Sequence, residues 1–320
     1  DPDVVPFGGG STISIQGTDF VDGATVRLFA SPLDGSGGQS VAATFVSPTE
    51  LTLVVPAGPL GETALLVENP DGQVAVAKGA LTLAPFLVAG TKLQGSVATP
   101  GDVDTALYEA IAGTKLGLTL ARLPKSIVQP AIRVVRDSDG TVLLATDPVD
   151  PAFDPLFATS KTTSATVKNF VLPQTEILRL EVLGLAGSTG GYKLTIKETL
   201  PASARSIKVP TKPPTVVGPG NASFPFVAKT GSTLKGKVTA KKPLQVEVAT
   251  LDGPAGSILG AVAATLVPGL NNSSVTFKST PLAKFGAYTL AIGPLAATTG
   301  TITGTVTIVA PKATTTFVEP

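Results

Sequence analysis

Apolar and polar residues alternate with a period of two in short runs along the whole chain. Gly, Pro, Asp or Asn interrupts them roughly every 8–12 residues, the spacing of all-β sandwiches. Ser11–Gln16, Ala24–Phe29, Glu50–Val55, Thr63–Glu68 and Gln73–Ala77 follow one another in this way. Asn69-Pro-Asp-Gly72 lies between the last two as a turn, with Pro70 presetting φ and Gly72 accepting a positive one. A second group of strands runs from Thr91–Val97 through Lys115–Leu120, Ala131–Arg136, Thr141–Leu144, Ser164–Lys168 and Ile177–Val182 to Gly191–Ile196. A third runs from Ser232–Val238 through Leu244–Val248, Ser274–Phe277 and Ala287–Ile292 to Gly300–Val309.

The pattern predicts an all-β protein of three tandem β-sandwich domains. The boundaries are 1–85, 86–198 and 222–312, with 199–221 as a linker and 313–320 as a β-prone tail. Pro201, Pro210, Pro213, Pro214 and Pro219 make the linker an extended, semi-rigid spacer. The second and third domains read as copies of one sandwich. Gly90-Thr-Lys-Leu-Gln-Gly-Ser-Val97 recurs as Gly231-Ser-Thr-Leu-Lys-Gly-Lys-Val238, and Gly191-Tyr-Lys-Leu-Thr-Ile196 as Ala287-Tyr-Thr-Leu-Ala-Ile292. The shorter distance between the second pair of landmarks predicts a third domain trimmed in its middle.

Composition narrows the chemistry. Among 320 residues there is no Cys, Met, Trp or His, which removes thiol nucleophiles, disulfides, Cys/His zinc sites, imidazole bases and Ser-His-Asp triads. Gly 34 and Pro 28 fit a turn-rich fold, and 43% apolar residues suffice for cores. Lys+Arg 24 against Asp+Glu 23 leaves +1, so the overall balance predicts no nucleic-acid partner. No run of apolar residues is long enough to span a bilayer as a helix. The start at Asp1, with no signal-like stretch, is expected of a chain processed by signal-peptide removal.

Gly8-Gly-Gly10, Ile15-Gln-Gly-Thr-Asp-Phe20, Ser47-Pro-Thr-Glu-Leu51 leading to Val55-Pro56, and Val67-Glu-Asn-Pro-Asp-Gly72 together make the first 85 residues resemble an immunoglobulin-like IPT/TIG domain. Gly17 then fits a tight bend and Phe20 plugs the end of the sandwich. Gly95-Ser-Val97, Gly101-Asp-Val-Asp104, Ala112-Gly-Thr-Lys-Leu116, Asp137-Ser-Asp-Gly140 and Gly190–Ile196 make residues 86–198 resemble the bacterial pre-peptidase C-terminal type of sandwich. Residues 222–310 keep only its opening and closing elements. The second resemblance implies a strand over Asp104–Ile111, which otherwise reads as a helical turn. Both resemblances imply secreted or cell-surface bacterial modules with structural, accessory or adhesive roles and no catalysis.

Candidate sites are few. Asp102 and Asp104, spaced i, i+2 beside Gly101, either help hold a calcium ion or cap a turn. Asp137 with Asp139 either help hold an ion or belong to the Ser-Asp-Gly hairpin turn, and Asp147, Asp150 and Asp154 form an acidic, Pro-stiffened loop that is either solvated or metal-holding. No cofactor other than calcium is expected. In the tail, Thr314, Thr315, Thr316, Phe317 and Val318 form a candidate donor strand. The shortened first edge around Val4, Val5, Ile13 and Ile15 is the candidate acceptor on a neighbouring copy. The resulting expectation is a non-enzymatic extracellular or cell-surface structural protein, a subunit of a filament or layer, self-associating as a head-to-tail homopolymer. The alternative is an accessory segment of a larger secreted hydrolase that binds carbohydrate or mediates adhesion, for which exposed aromatics would be the sign.

Overall fold

The computed structural model describes residues 4–30, 38–210, 215–218, 220–241, 244–254, 256–258, 260, 262–268, 272–295, 299–313 and 316–318. The first sandwich holds β1 (Val4–Pro6), β2 (Thr12–Gln16), β3 (Thr25–Ala30), β4 (Gln39–Val41), β5 (Ala43–Ser47), β6 (Glu50–Val54), β7 (Gly61–Glu68) and β8 (Val74–Ala84). Sheet β1-β8-β7-β3-β4 faces sheet β2-β6-β5, and Val26, Leu65 and Leu81 from one meet Ile13, Leu51 and Leu53 from the other. The Asn69–Gly72 turn forms as read, with Gly72 at φ +85° and its N–H donating to the Asn69 carbonyl. Gly17 does something other than bend the chain: a Cβ there would lie 2.5 Å from the Phe20 ring, so its bareness lets Phe20 close the core.

The second sandwich comprises β9 (Phe86–Leu87), β10 (Lys92–Val97), β11 (Val103–Ala110), β12 (Lys115–Arg122), β13 (Pro130–Arg136), β14 (Val142–Ala145), β15 (Ala158–Lys161), β16 (Ser164–Val171), β17 (Glu176–Gly184) and β18 (Gly190–Thr199). Its sheets run β15-β16-β12-β18-β10 and β14-β13-β17-β11-β9. The 104–111 segment is strand, and Leu107, Tyr108 and Ala110 are buried in it.

The third sandwich contains β19 (Ser206–Val209), β20 (Thr215–Val217), β21 (Ala222–Ala228), β22 (Thr233–Lys241), β23 (Val246–Gly253), β24 (Gly256–Ser257), β25 (Val262–Pro268), β26 (Asn272–Ser279), β27 (Gly286–Pro294) and β28 (Gly300–Val309). Its sheets run β25-β26-β22-β28-β19, with β20 also on β28, and β24-β23-β27-β21. The Pro-rich stretch is therefore not a spacer. Its described parts, Ser206–Val209 and Thr215–Val217, pair with β28 and bury Ile207, Val209 and Val217 in the third core. Only Leu200–Arg205, with a single 3₁₀ turn, joins the second and third sandwiches.

The second and third sandwiches share one strand order, and that order fixes which strands correspond. In each sandwich the edge strand, β10 or β19, pairs with the last strand, β18 or β28, which pairs in turn with β12 or β22. The opposite sheets match as β14-β13-β17-β11 and β24-β23-β27-β21. Gly231–Val238 thus corresponds to Gly113–Leu120 and not to Gly90–Val97, and the Tyr288 strand corresponds to β17 and not to β18. The hydrogen bonds agree. Gly113 N–H donates to Leu172 O and Leu172 N–H to Thr114 O, while Gly231 N–H donates to Leu282 O and Leu282 N–H to Ser232 O. Both glycines stand at positive φ, +79° and +80°. Nor is the third sandwich trimmed, since its ladder runs from Ser206 to Val309 where the second runs from Lys92 to Thr199. Short Gly-x-x-Leu matches recur at several strand starts, and only pairing order tells which are equivalent.

Candidate functional site

Five of the seven carboxylates singled out in the sequence, Asp102, Asp139, Asp147, Asp150 and Asp154, accept from nearby backbone, and Asp137 lies 3.8 Å from the Arg179 guanidinium. Asp102 accepts the Ala98 N–H at 2.7 Å, and the Asp102 N–H donates to Thr99 O, which is the turn-capping reading. Asp104 is the second residue of β11 and lines, with Asp102 and with Glu62 from the first sandwich, a cleft of about 390 Å³. No group of three or more carboxylates is placed to hold a metal ion among the described residues. Asp139 caps Thr141 and pairs with Arg136 at 3.0 Å, which holds its carboxyl down at about 2. Asp147, Asp150 and Asp154 each accept the N–H two residues on, three successive Asx turns that shape one loop.

The tail also has a local partner. Thr316, Phe317 and Val318 form β29 (Thr316–Val318), which pairs in parallel with β10 of the same chain, in the register Lys92↔Thr316, Leu93↔Phe317 and Gln94↔Val318. Thr314 and Thr315 lie outside the described residues. The proposed acceptor residues are paired within the first sandwich, Val4 and Val5 with Thr82 and Leu83, Ile13 and Ile15 with Leu53 and Leu51. The expected pairing of the tail with that edge is corrected by distance along the chain. β28 ends beside the second sandwich, where the Ile308 N–H donates to Arg205 O, and a few residues later the Ala313 N–H donates to Ala89 O. The β10 edge is the first one the tail reaches. Phe317 lies on the second core and meets Phe7 of the first sandwich edge to face, with ring centroids 5.8 Å apart at 78°. One short strand thus ties all three sandwiches.

Each joint between sandwiches holds a small buried apolar cluster. At the first, Val4, Ala84 and Leu107 are buried together with Phe86 and Ile177, and the Leu107 N–H donates to Pro85 O. At the second, Ile111, Leu200 and Ala204 of one side meet Val227, Phe285 and Ala310 of the other. Beside them sits a polar cluster that no motif announced. Lys229 Nζ is 2.6 Å from Glu198 Oε2 and 3.9 Å from the Tyr108 ring centroid, and Lys229 is 1% exposed. Tyr108 donates its hydroxyl to the same Glu198 oxygen, and Glu109 accepts both the N–H and the hydroxyl of Thr230. Burial pushes the Lys229 ammonium below its usual range against the opposing pull of Glu198. Burial likewise raises the Glu109 carboxyl, and the Tyr108 hydroxyl keeps its proton. The one signal in the sequence is positional: in the corrected register Lys229 occupies the place of Ile111, so a charge replaces an apolar residue between copies.

Charge is distributed very unevenly over the three units. Residues 1–85 carry 9 Asp/Glu and 2 Lys/Arg, whereas residues 199–312 carry 11 Lys/Arg and 2 Asp/Glu. The outer face of the third sandwich collects part of that excess. Register places Lys208, Thr305, Lys237, Thr276 and Thr265 in one row across the sheet, and Ser206, Thr307, Lys235, Lys278 and Ala263 in the next. A shallow groove of about 580 Å³ lies between these side chains. The aromatics point the other way: all 13 Phe and 3 Tyr are buried or half-buried.

Residues 1–83 match the model of the IPT/TIG domain, so the first sandwich is immunoglobulin-like in sequence as well as in fold. No curated protein matches the chain. Among solved structures, the chain is similar to the mixed-linkage glucan utilization locus protein SGBP-B of Bacteroides ovatus in complex with mixed-linkage heptasaccharide. That match has 12% identity, covers 95% of this chain and 71% of that one, and has a TM-score of 0.20. It is also similar to tripeptidyl peptidase 2, with 8% identity, 91% and 33% coverage and a TM-score of 0.27. A third match is dimeric latent PorU of Porphyromonas gingivalis, with 12% identity, 96% and 34% coverage and a TM-score of 0.18. The chain spans about a third of the latter two, and likenesses this remote carry no argument about function.

Proposed function

We propose that the chain is a non-enzymatic structural module of the cell exterior, in which three sandwiches act as one stiff unit. The observation that carries this reading is the apolar cluster at each joint, together with a tail strand that leaves the third sandwich, pairs with the second and meets Phe7 of the first. Sandwiches built to move independently leave exposed linkers between them. Here Leu200–Arg205 is short and both Leu200 and Ala204 are buried. The secreted or surface setting rests on the IPT/TIG match and on the motif likeness of 86–198 to the pre-peptidase C-terminal sandwich. Sugar binding by aromatic stacking finds no support, since no ring is exposed. Assembly by strand donation would first require β29 to leave its own chain.

Scanning calorimetry on the full chain tests the reading. One stiff unit unfolds in a single cooperative transition with equal calorimetric and van't Hoff enthalpies. Three separate transitions would overturn it.

A further inference from the structure

Like charges directly opposite on neighbouring strands destabilise a sheet, yet Lys235 stands opposite Lys278 in the register of β22 and β26. Lys237 and Lys208 flank the same Thr305 from either side. All four side chains are exposed, and among the described residues none makes an ion pair. Within these two rows every other polar group is a Ser or Thr hydroxyl, so the face has donors and positive charge and no internal anion to satisfy them. A folded chain keeps such a repulsive arrangement when something outside neutralises it.

The first sandwich supplies the matching chemistry. Its β2–β3, β5–β6 and β7–β8 loops are laced together: the Gly17 N–H donates to Thr49 O, the Phe20 N–H to Pro48 O and the Asn69 side chain to Asp19 O. These loops and the strand ends beside them carry Asp19, Asp22, Glu50, Glu68 and Asp71, and the loops contain no Lys or Arg. They form the tip of the sandwich, separated from the second sandwich by the length of β8, roughly 30 Å at the usual rise per residue.

We infer that the acidic tip of the first sandwich docks on the lysine and hydroxyl face of the third sandwich of a second copy, a head-to-tail contact made by side chains and independent of the tail. This rests on the non-enzymatic structural reading and gives it a partner. A tip meeting a face is heterologous, so repeated contacts build an open chain or a closed ring. Because the charges are exposed, salt weakens the contact strongly.

Sedimentation velocity of the full chain across protein concentration tests it. At about 0.02 M salt the average mass is expected to rise with concentration, and at about 0.5 M it returns to that of one chain. Lys235→Glu with Lys278→Glu, and separately Asp19→Lys with Asp71→Lys, should each weaken association about tenfold or more. Mixing the two variants restores it, because each still carries one native surface opposite a reversed one. A wild-type chain that stays at single-chain mass at low salt overturns the proposal, as does association insensitive to salt or to both double variants. If the wild type stays single while dextran sulfate binds it and not the Lys235→Glu, Lys278→Glu chain, the face recognises an acidic polysaccharide and the docking is refuted. Should either variant misfold by circular dichroism, the wild-type salt series alone decides. Calorimetry reads stiffness and sedimentation reads docking, so the two readings fail separately.

Discussion

A lysine almost sealed from water must keep a partner or give up its proton, and Lys229 keeps Glu198 and the face of Tyr108. Removing only the lysine leaves a buried carboxylate, so Lys229→Met is expected to cost about 3–5 kcal/mol in urea denaturation. Glu198→Leu added to it should recover most of that loss, and an additive double variant would contradict the pairing. Glu109 gives a pH signature. Its carboxyl is raised chiefly by burial, so the folded chain holds that proton more tightly than the unfolded one. The associated stability is complete below the ordinary carboxylate value and is lost as pH rises through the raised one. Relative to Glu109→Gln, the wild type should therefore lose stability as pH climbs from about 4.5, and a pH-independent difference would refute this. None of this cluster was legible in the sequence, because Tyr108, Glu109, Glu198 and Lys229 come from strands that meet only when two sandwiches dock. The hairpin turn at Asp139 was legible, because there the partner, Thr141, lies two residues away.

Strands are local enough to be read from alternation, and the 104–111 strand and the Asn69–Gly72 turn formed as expected. Pairing is not local. The Pro-rich segment was correctly extended but wrongly left unpaired, since its partner β28 lies almost a full domain later. The tail was correctly a strand and was assigned the wrong edge for the same reason. Removing residues 313–320 should accordingly speed amide exchange along β10 and loosen the first sandwich, rather than dissolve an assembly. Phe317→Ala, which keeps the backbone pairing and loses the contacts with Phe7 and the second core, is expected to cost about 1–2 kcal/mol. Unchanged β10 exchange in the shortened chain would show that β29 does not cover that edge. Chelator should leave the melting temperature unchanged, because Asp102 already serves Ala98; a drop on adding EDTA would restore the calcium reading.

For the whole molecule, the overall +1 conceals an acidic first unit and a basic third. Counting charge unit by unit would have found the lysine face; averaging over the chain hid it, and the expectation of no nucleic-acid partner rests on that average. The acidic and basic units are the first and the third, with the nearly balanced second unit between them in sequence. The order in which the chain is made bears on β10. Its strand emerges early, yet the neighbour that covers it, β29, is synthesised only after the third sandwich is finished. During that interval a nascent chain presents a bare edge to whatever is being made or exported beside it. A chain stopped short of Thr316 never loses that edge, so a fully covered second sandwich is a built-in certificate that translation has run past its third domain.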